Sequence, residues 1–571
     1  MGLLLDVFDS WKWLTGFGML LCGLQAAVLL RYALPFKKQH RWLDFLPSLG
    51  AAVAAASFLS GDGSILALLL YASTAILFLC TVKRAFKPSP KPMSAKFRAL
   101  MALVCVCGLL PSALALTSAG EVRYNPVSDL SQMSYSDAFV AMNERLSVEY
   151  PFGEWKKIDW RALRSKYEPL FEKAEQNHDK TLYYKTLREY LFSFRDGHVK
   201  IANENLYDGN SVFKREVGGG FGISADRLDN GKVLVSLVLA GSPADKSGIR
   251  LGAELVTWDG VAADEALRRT TWSESPSATE GDRIVNQGRF LARAPIGKAV
   301  EAEFRNWGEV AVHKATLAAY DDQYETLKRT KPKLKREDAP IEGRIMSNGY
   351  GYVKISYFLP DANHSNPEQT LKKLLHRFRD KHVKGLILDL RDNPGGDDQL
   401  VANMAGHFVN AKKTYEYVSY YSRNTGQFEL NRPETRTIVP SQPSFTGNIA
   451  ILINHRTASS GEGLPLALKG LPHVTVVGFT STNGSFGIVS APTEMNMPEG
   501  YRVRFPDGRS LDQRKTIQGD SDGNGRGGAV PDRKVPLNER TFRAMYIDGR
   551  DVVLDEAVAA LREMNRAGER P

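Results

Sequence analysis

Ile449-Ala450-Ile451-Leu452-Ile453-Asn454-His455-Arg456-Thr457-Ala458-Ser459-Ser460-Gly461-Glu462 runs an apolar strand into a turn, and Gly463 to Leu468 continues it as a helix. A short apolar strand that feeds a helix belongs to an α/β core, whose strands are buried on both faces. A serine at such a turn projects its hydroxyl from the sheet edge. The next N–H, that of Ser460, lies at the positive end of the helix, where an oxyanion can be stabilised. The same serine also suits plain helix N-capping, so the stretch alone leaves both roles open.

A second buried strand upstream, Leu388-Asp389-Leu390, runs into Arg391-Asp392-Asn393-Pro394-Gly395-Gly396. This glycine turn can present backbone N–H groups to the same point. With Gly351 to Ile355 and the helical stretches between, these strands outline an α/β unit from about 342 to 546, closed by a helix at Asp551 to Met564.

Before it lies a unit from about Val212 to Ala319. It opens on Gly218-Gly219-Gly220-Phe221-Gly222-Ile223 and continues through a strand pair split by Asp229-Asn230-Gly231, a hairpin signal. Gly241-Ser242-Pro243-Ala244 and Leu251-Gly252-Ala253-Glu254-Leu255 follow. This order resembles a PDZ domain. Small consecutive residues let N–H groups converge on a terminal carboxylate while the adjacent strand edge pairs with a peptide, so Gly218 to Ile223 are the candidate peptide-binding residues. Residues 270 to 292 read as an insertion. Ahead of this unit, 133 to 195 shows aromatic and leucine residues at helical spacing, a helical lead-in whose aromatic density reads as core.

The first 117 or so residues differ in kind. Apolar runs at 13 to 35, 42 to 60, 64 to 82 and 98 to 117 are each close to the ~20 residues that cross a hydrocarbon core. Lys37, Lys38 and Arg41 in the first loop, and Lys83, Arg84 and Lys87 in the third, place those loops in the cytoplasm. The expected fold class is therefore multi-domain: a four-helix transmembrane region (1–119), a helical lead-in (120–211), a PDZ-like β domain (212–320) and an α/β core (321–571). The expected location is a bacterial cell membrane, multi-pass, with the outer part periplasmic or extracellular and the lipid bilayer as a partner. Basic loops account for much of the +10 net charge, so no nucleic-acid partner is needed. The cysteines, Cys22, Cys80, Cys105 and Cys107, all fall within those runs. The outer part can therefore hold no disulfide framework, thiolate nucleophile or cysteine zinc site, and there is no H-E-x-x-H pair.

Together, the glycine turn, the Ser459 motif and the PDZ-like unit resemble the C-terminal processing (tail-specific) serine peptidase superfamily, which includes the tricorn-type core proteases. The resemblance spans roughly 133 to 565. It implies Ser459 as nucleophile and the backbone of Gly395 or Gly396 and of Ser460 as oxyanion donors. It also implies polypeptide substrates, here envelope or secreted proteins, and no metal or organic cofactor.

One departure decides the base. The Ser/Lys branch carries its lysine in a turn after Val-Val-Gly. Here Val476-Val477-Gly478 is present, yet no lysine lies between Lys469 and Lys515. The tricorn-like branch uses a histidine in an Asp-x-His segment of the lead-in, which here is Asp196-Gly197-His198. A histidine there could be structural, but with the lysine missing His198 is the expected base.

The third member should be a carboxylate. Relatives place a glutamate before a closing segment that resembles Gly528-Ala529-Val530-Pro531-Asp532, and here the available acids are Asp520 or Asp522. The same Asp520-Ser521-Asp522-Gly523-Asn524-Gly525 stretch starts like a calcium loop, but its twelfth place is Pro531 instead of glutamate. The reading is a membrane-anchored serine endopeptidase that captures peptides in the PDZ groove. The alternative is a silent PDZ-type peptide-binding sensor or scaffold.

Overall fold

A computed structural model of the chain describes residues 128–331, 338–360, 366–423, 425–489 and 493–568, with a few helical positions between 76 and 103. The chain divides into two compact units, Met1–Tyr124 and Asn125–Pro571, and the second is described below.

The transmembrane part of the expected fold class is corrected. Among the described residues no helix is long and apolar enough to cross a membrane. The longest described helices, Trp160–Gln176 and Val552–Gly568, have 17 residues and carry charges along their length, against the ~20 apolar residues a span requires. The four apolar runs themselves lie almost wholly outside the described residues. The multi-pass membrane location and the outward orientation read from loop charge fall with the spans.

Strands buried along their whole length build the central sheet. Its strands are Ile341–Ile345, Gly351–Ile355, Leu386–Asp389, Ile449–Leu452, Val474–Gly478 and Arg533–Lys534, side by side in that order. The first runs antiparallel to its neighbour and the others are parallel. Leu386, Leu388, Ile449, Ile451 and Val476 share one core with Leu371, Leu375 and Phe378 of helix Pro367–Asp380, Val401 of helix Asp398–Ala405 and Leu464 of helix Ser460–Leu468. Ile387, Ala450, Leu452 and Val477 point the other way, against Val553, Ala557 and Leu561 of the closing helix Val552–Gly568. Burial on both faces explains why these strands read as unbroken apolar runs. The register pairs Asp389 with Leu452, so two neighbouring parallel strands end at the same edge. Their following turns face each other there, where α/β sheets place their sites.

The lead-in is built from helices Tyr135–Glu149, Trp160–Gln176 and Lys180–Phe192. The side chains of Ser134, Asp159 and Asp179 accept N–H bonds at their starts, so each N-terminus has its cap. Phe139 stacks on Phe171 and meets Tyr190 edge-on, with ring centroids 4.6 and 5.0 Å apart. The aromatic-rich stretch is thus core, but this core is not local. Met495, Met497, Val503 and Phe505, from far along the chain, are buried in it. Strands Thr493–Asn496 and Arg502–Phe505 form a sheet with Ser128–Asp129 and Lys200–Ile201.

Residues of the PDZ-like stretch form an antiparallel sheet with strand order His313–Ala318, Ala299–Arg305, Glu254–Trp258, Val233–Val238 and Ile223–Arg227. The turn Asp229-Asn230-Gly231 joins the last two, with Gly231 at φ 89°. The residues read as an insertion supply helix Glu280–Leu291, capped by Thr279, which packs beside Ile223–Arg227.

Candidate active site

The two turns at the sheet edge are fastened to each other. Thr457 Oγ1 donates to Leu390 O at 2.8 Å, and Ala458 N to Asn393 O at 2.9 Å. Ser460 Oγ donates to Gly396 O at 3.0 Å. A Cβ at Gly395 would lie 2.8 Å from Ser459 Cβ and 2.9 Å from Ser460 N, with φ at +107°. Only glycine permits this approach. Ser459 itself sits at φ 52°, ψ −135°. For a residue with a side chain this costs about 1–3 kcal/mol and persists only where surrounding contacts hold it.

The two glycine N–H groups are not equivalent. Gly395 N donates to Asn393 Oδ1 at 2.8 Å, and Asn393 is fully buried and anchored to Ile355 O. Among the described residues, the N–H groups of Gly396 and Ser460 donate to no protein acceptor. Both border the Ser459 turn, so Gly396 and Ser460 are the better-placed pair to receive a developing oxyanion.

His198 stands at the C-terminal end of the lead-in, just before the short strand Lys200–Ile201 that pairs with Arg504 and Val503. Its turn reaches the serine through one residue: Gly197 N donates to Ser485 Oγ at 2.9 Å, and Ser459 N donates to Ser485 O at 3.0 Å. Burial holds the His198 imidazole below its ordinary 6.5, so the ring is neutral at neutral pH. Its Nδ1 is buried without a hydrogen-bond partner. Among the described residues no hydrogen bond joins the ring to the Ser459 hydroxyl.

The acid facing His198 is neither of the two expected. Asp196 Oδ1 is 4.0 Å from His198 Nδ1 and accepts from His198 N at 2.9 Å, while its Oδ2 accepts from Tyr150 Oη at 2.7 Å. Asp520 is buried with Oδ1 taken by Phe486 N and Gly487 N at 3.1 and 3.2 Å, and its Oδ2 has no partner. Burial, reinforced by nearby Asp196, drives its carboxyl well above the usual range. Asp522 caps its own loop, accepting from Asn524 N and Arg526 N. Asp520 and Asp522 therefore serve different partners. Sequence reasoning quoted Asp196 as part of the Asp-x-His segment without giving it a role, although its spacing to the histidine was the available signal.

Lys156 was also missed. It is 6% exposed, and its Nζ donates to Arg195 O at 3.0 Å and to Ser521 O and Oγ at 2.8 Å each. Burial pushes its pKa down against the pull of Asp196, Asp520 and Asp522. With these donations it fastens the His198 turn to the 520–526 loop and has no bond to Ser459.

The candidate peptide-binding run is less open than its composition suggests. Gly218 N donates to Lys214 O, and Gly219 and Gly220 form a short strand with partners on both sides, Ala294 and Arg293 on one and Asp321 and Tyr320 on the other. Phe221 O and Gly222 O accept from Ala244 N and Leu239 N, and Ile223 opens the sheet strand. The free side of that strand is covered by helix Glu280–Leu291, where a Cβ on Gly288 would stand 2.1 Å from Ala225 O. The same helix touches the serine side: Asp282 Oδ1 pairs with His455 Nδ1 at 2.7 Å, and Thr279 Oγ1 donates to Thr482 O at 3.4 Å.

Comparison with known proteins gives a consistent picture. Residues 349–533 match the family model described as Peptidase family S41. The chain is 24% identical over 291 residues to the carboxy-terminal processing protease CtpB of Bacillus subtilis (strain 168), covering 50% of each protein. It is 23% identical over 421 residues to the carboxyl-terminal-processing protease of Synechocystis sp., covering 71% of this chain and 80% of that one. The match to the Bacillus protein thus spans about half its length. Among solved structures, mature CPAF complexed with lactacystin superposes with a TM-score of 0.55 at 12% identity, over 76% of this chain and 99% of that one. At that identity the likeness is one of fold.

Proposed function

From the premise that this chain is a serine-type peptidase of family S41, the C-terminal processing proteases, we propose that it cleaves exposed or C-terminal polypeptide segments through an acyl-enzyme on Ser459. The observation that carries the reading is the convergence of the Gly395-Gly396 turn on Ser459 and Ser460, with Ser459 held at φ 52°.

In this mechanism neutral His198 accepts the Ser459 proton as Oγ attacks the scissile carbonyl. The oxyanion is met by the N–H groups of Gly396 and Ser460. The imidazolium then returns the proton to the leaving amine, and water, deprotonated by the same ring, releases the acyl group. The transfer requires the His198 ring within hydrogen-bond reach of Ser459 Oγ. The 4.0 Å approach of Asp196 Oδ1 to His198 Nδ1 supports Asp196 as the acid that orients the ring, and the bonds from Phe486 N and Gly487 N support Asp520 as a buttress of that backbone.

Peptide capture along strand Ile223–Arg227 belongs to the same reading. It requires helix Glu280–Leu291 to move off the strand, and that helix also holds His455 and Thr482 beside the site.

The test is digestion of an unfolded protein by the purified chain, by Ser459→Ala and by His198→Ala. Cleavage by the wild type alone is expected. Equal cleavage by Ser459→Ala would refute the nucleophile, and binding without cleavage by any form would favour a peptide-binding sensor.

A further inference from the structure

We propose that Glu462 is a positioning residue for the peptidase reaction, its buried carboxylate setting the Ser459 turn and the 482–485 loop relative to each other so that nucleophile and base-bearing turn are registered by one side chain. This rests on the reading of Ser459 as nucleophile and His198 as base.

Glu462 is fully buried and accepts from four donors. Oε1 takes Thr482 Oγ1 at 2.5 Å and Gly484 N at 2.8 Å, while Oε2 takes Ser485 N at 3.0 Å and Ser459 N at 3.2 Å. One end of this cluster is the strained backbone of the serine. The other is Ser485, whose Oγ holds Gly197 N next to His198. Deleting the carboxylate would leave the Gly484 and Ser485 N–H groups without their acceptor and leave Ser459 N only its bond to Ser485 O, loosening both ends together.

Three of the four donors are backbone N–H groups that cannot turn away. Only the ionised carboxylate accepts all four. A proton on Glu462 would have to point at Thr482 Oγ1, which already accepts from Ala529 N at 2.6 Å, and the threonine hydroxyl would lose its own acceptor. The positioning form is therefore the ionised one. Burial pushes the Glu462 pKa up to about 7, held down by the bonds from Thr482, Gly484, Ser485 and Ser459. Glu462 acts through space on the carboxyl of Asp520, and Asp398, on helix Asp398–Ala405, is the acid beside the adjacent Ser460. Burial moves the two groups in opposite directions, His198 below its ordinary range and Glu462 above its own.

The experiment is the pH profile of kcat/KM for the full chain on a fluorogenic peptide. The wild type should lose activity through an acid limb near pH 7. Glu462→Gln should lower kcat at least tenfold at pH 8 with KM within twofold, and the remaining activity should show a limb below pH 6.5. Thr482→Val, which removes a bond that favours the carboxylate, should move the limb to higher pH. A folded Glu462→Gln with wild-type kcat and limb would overturn the role, as would an unmoved limb in Thr482→Val if Glu462→Gln does not fold. Activity surviving Ser459→Ala in the same assay would instead overturn the nucleophile and, with it, this proposal.

Discussion

Replacing Gly395 by alanine should separate catalysis from stability. The new Cβ would stand 2.8 Å from Ser459 Cβ and 2.9 Å from Ser460 N, on a backbone at φ +107°. Both neighbours belong to the rigid turn into helix Ser460–Leu468, so the Gly395-Gly396 turn must retreat by several tenths of an ångström. Oxyanion donors act only within about 2.7–3.1 Å of the developing charge, and losing one costs about 3–4 kcal/mol, or a fall in kcat of roughly 10²- to 10³-fold. The backbone strain adds about 1–3 kcal/mol of lost stability. Gly241→Ala supplies the control, because Gly241 has φ +74° and nothing within 4 Å of an added Cβ. It should lose stability of the same order while keeping kcat. Steady-state kinetics with thermal melts on both variants decides the matter. Wild-type kcat in Gly395→Ala, at a melting temperature lowered as much as in Gly241→Ala, would remove this turn from the oxyanion site.

Two further outcomes follow from the geometry. Burial sets the folded pKa of His198 below its ordinary 6.5, so as pH falls the unfolded chain takes up that proton first. Stability from this source is present above pH 6.5 and lost as pH drops toward the folded value; urea midpoints of His198→Gln should fall less steeply than those of the wild type below pH 6.5. Gly288→Ala places a Cβ 2.1 Å from Ala225 O and must force helix Glu280–Leu291 from the strand, at about 1–3 kcal/mol. Faster amide exchange in Ile223–Arg227 and tighter binding of C-terminal peptides by fluorescence anisotropy are expected, and unchanged exchange would show that the helix does not cover that edge.

The α/β sheet was legible because its strands are buried on both faces and therefore read as continuous apolar runs ending in turns. Leu386–Asp389 and Ile449–Leu452 announced themselves, and so did the Ser459 and Gly395-Gly396 turns, since glycine is required where two backbones touch. Hydropathy misled at the N-terminus because apolar length alone sets no span where no described helix meets the requirement. Which acid lies beside His198 was illegible for a different reason. Asp196, Asp520 and Asp522 are chemically alike in sequence, and only the fold reveals that one faces an imidazole, one is sealed against Phe486 and Gly487, and one caps its own loop. Helix Glu280–Leu291 looked like an insertion because its reason for being there, the contact of Gly288 with Ala225, joins residues with no local pattern in common.

The lead-in core cannot be finished by the lead-in. Met495, Met497, Val503 and Phe505 are buried within it, and Lys200–Ile201, two residues past His198, pairs with Arg504 and Val503. During synthesis the histidine-bearing turn therefore has no finished seat until residue 505 has left the ribosome, by which point Ser459 has already been made. On the roles proposed for His198 and Ser459, the base-bearing turn is seated only by sequence downstream of the nucleophile. Fragments that end before this hairpin should accumulate as incompletely folded, inactive chains, not as stray proteolytic activity.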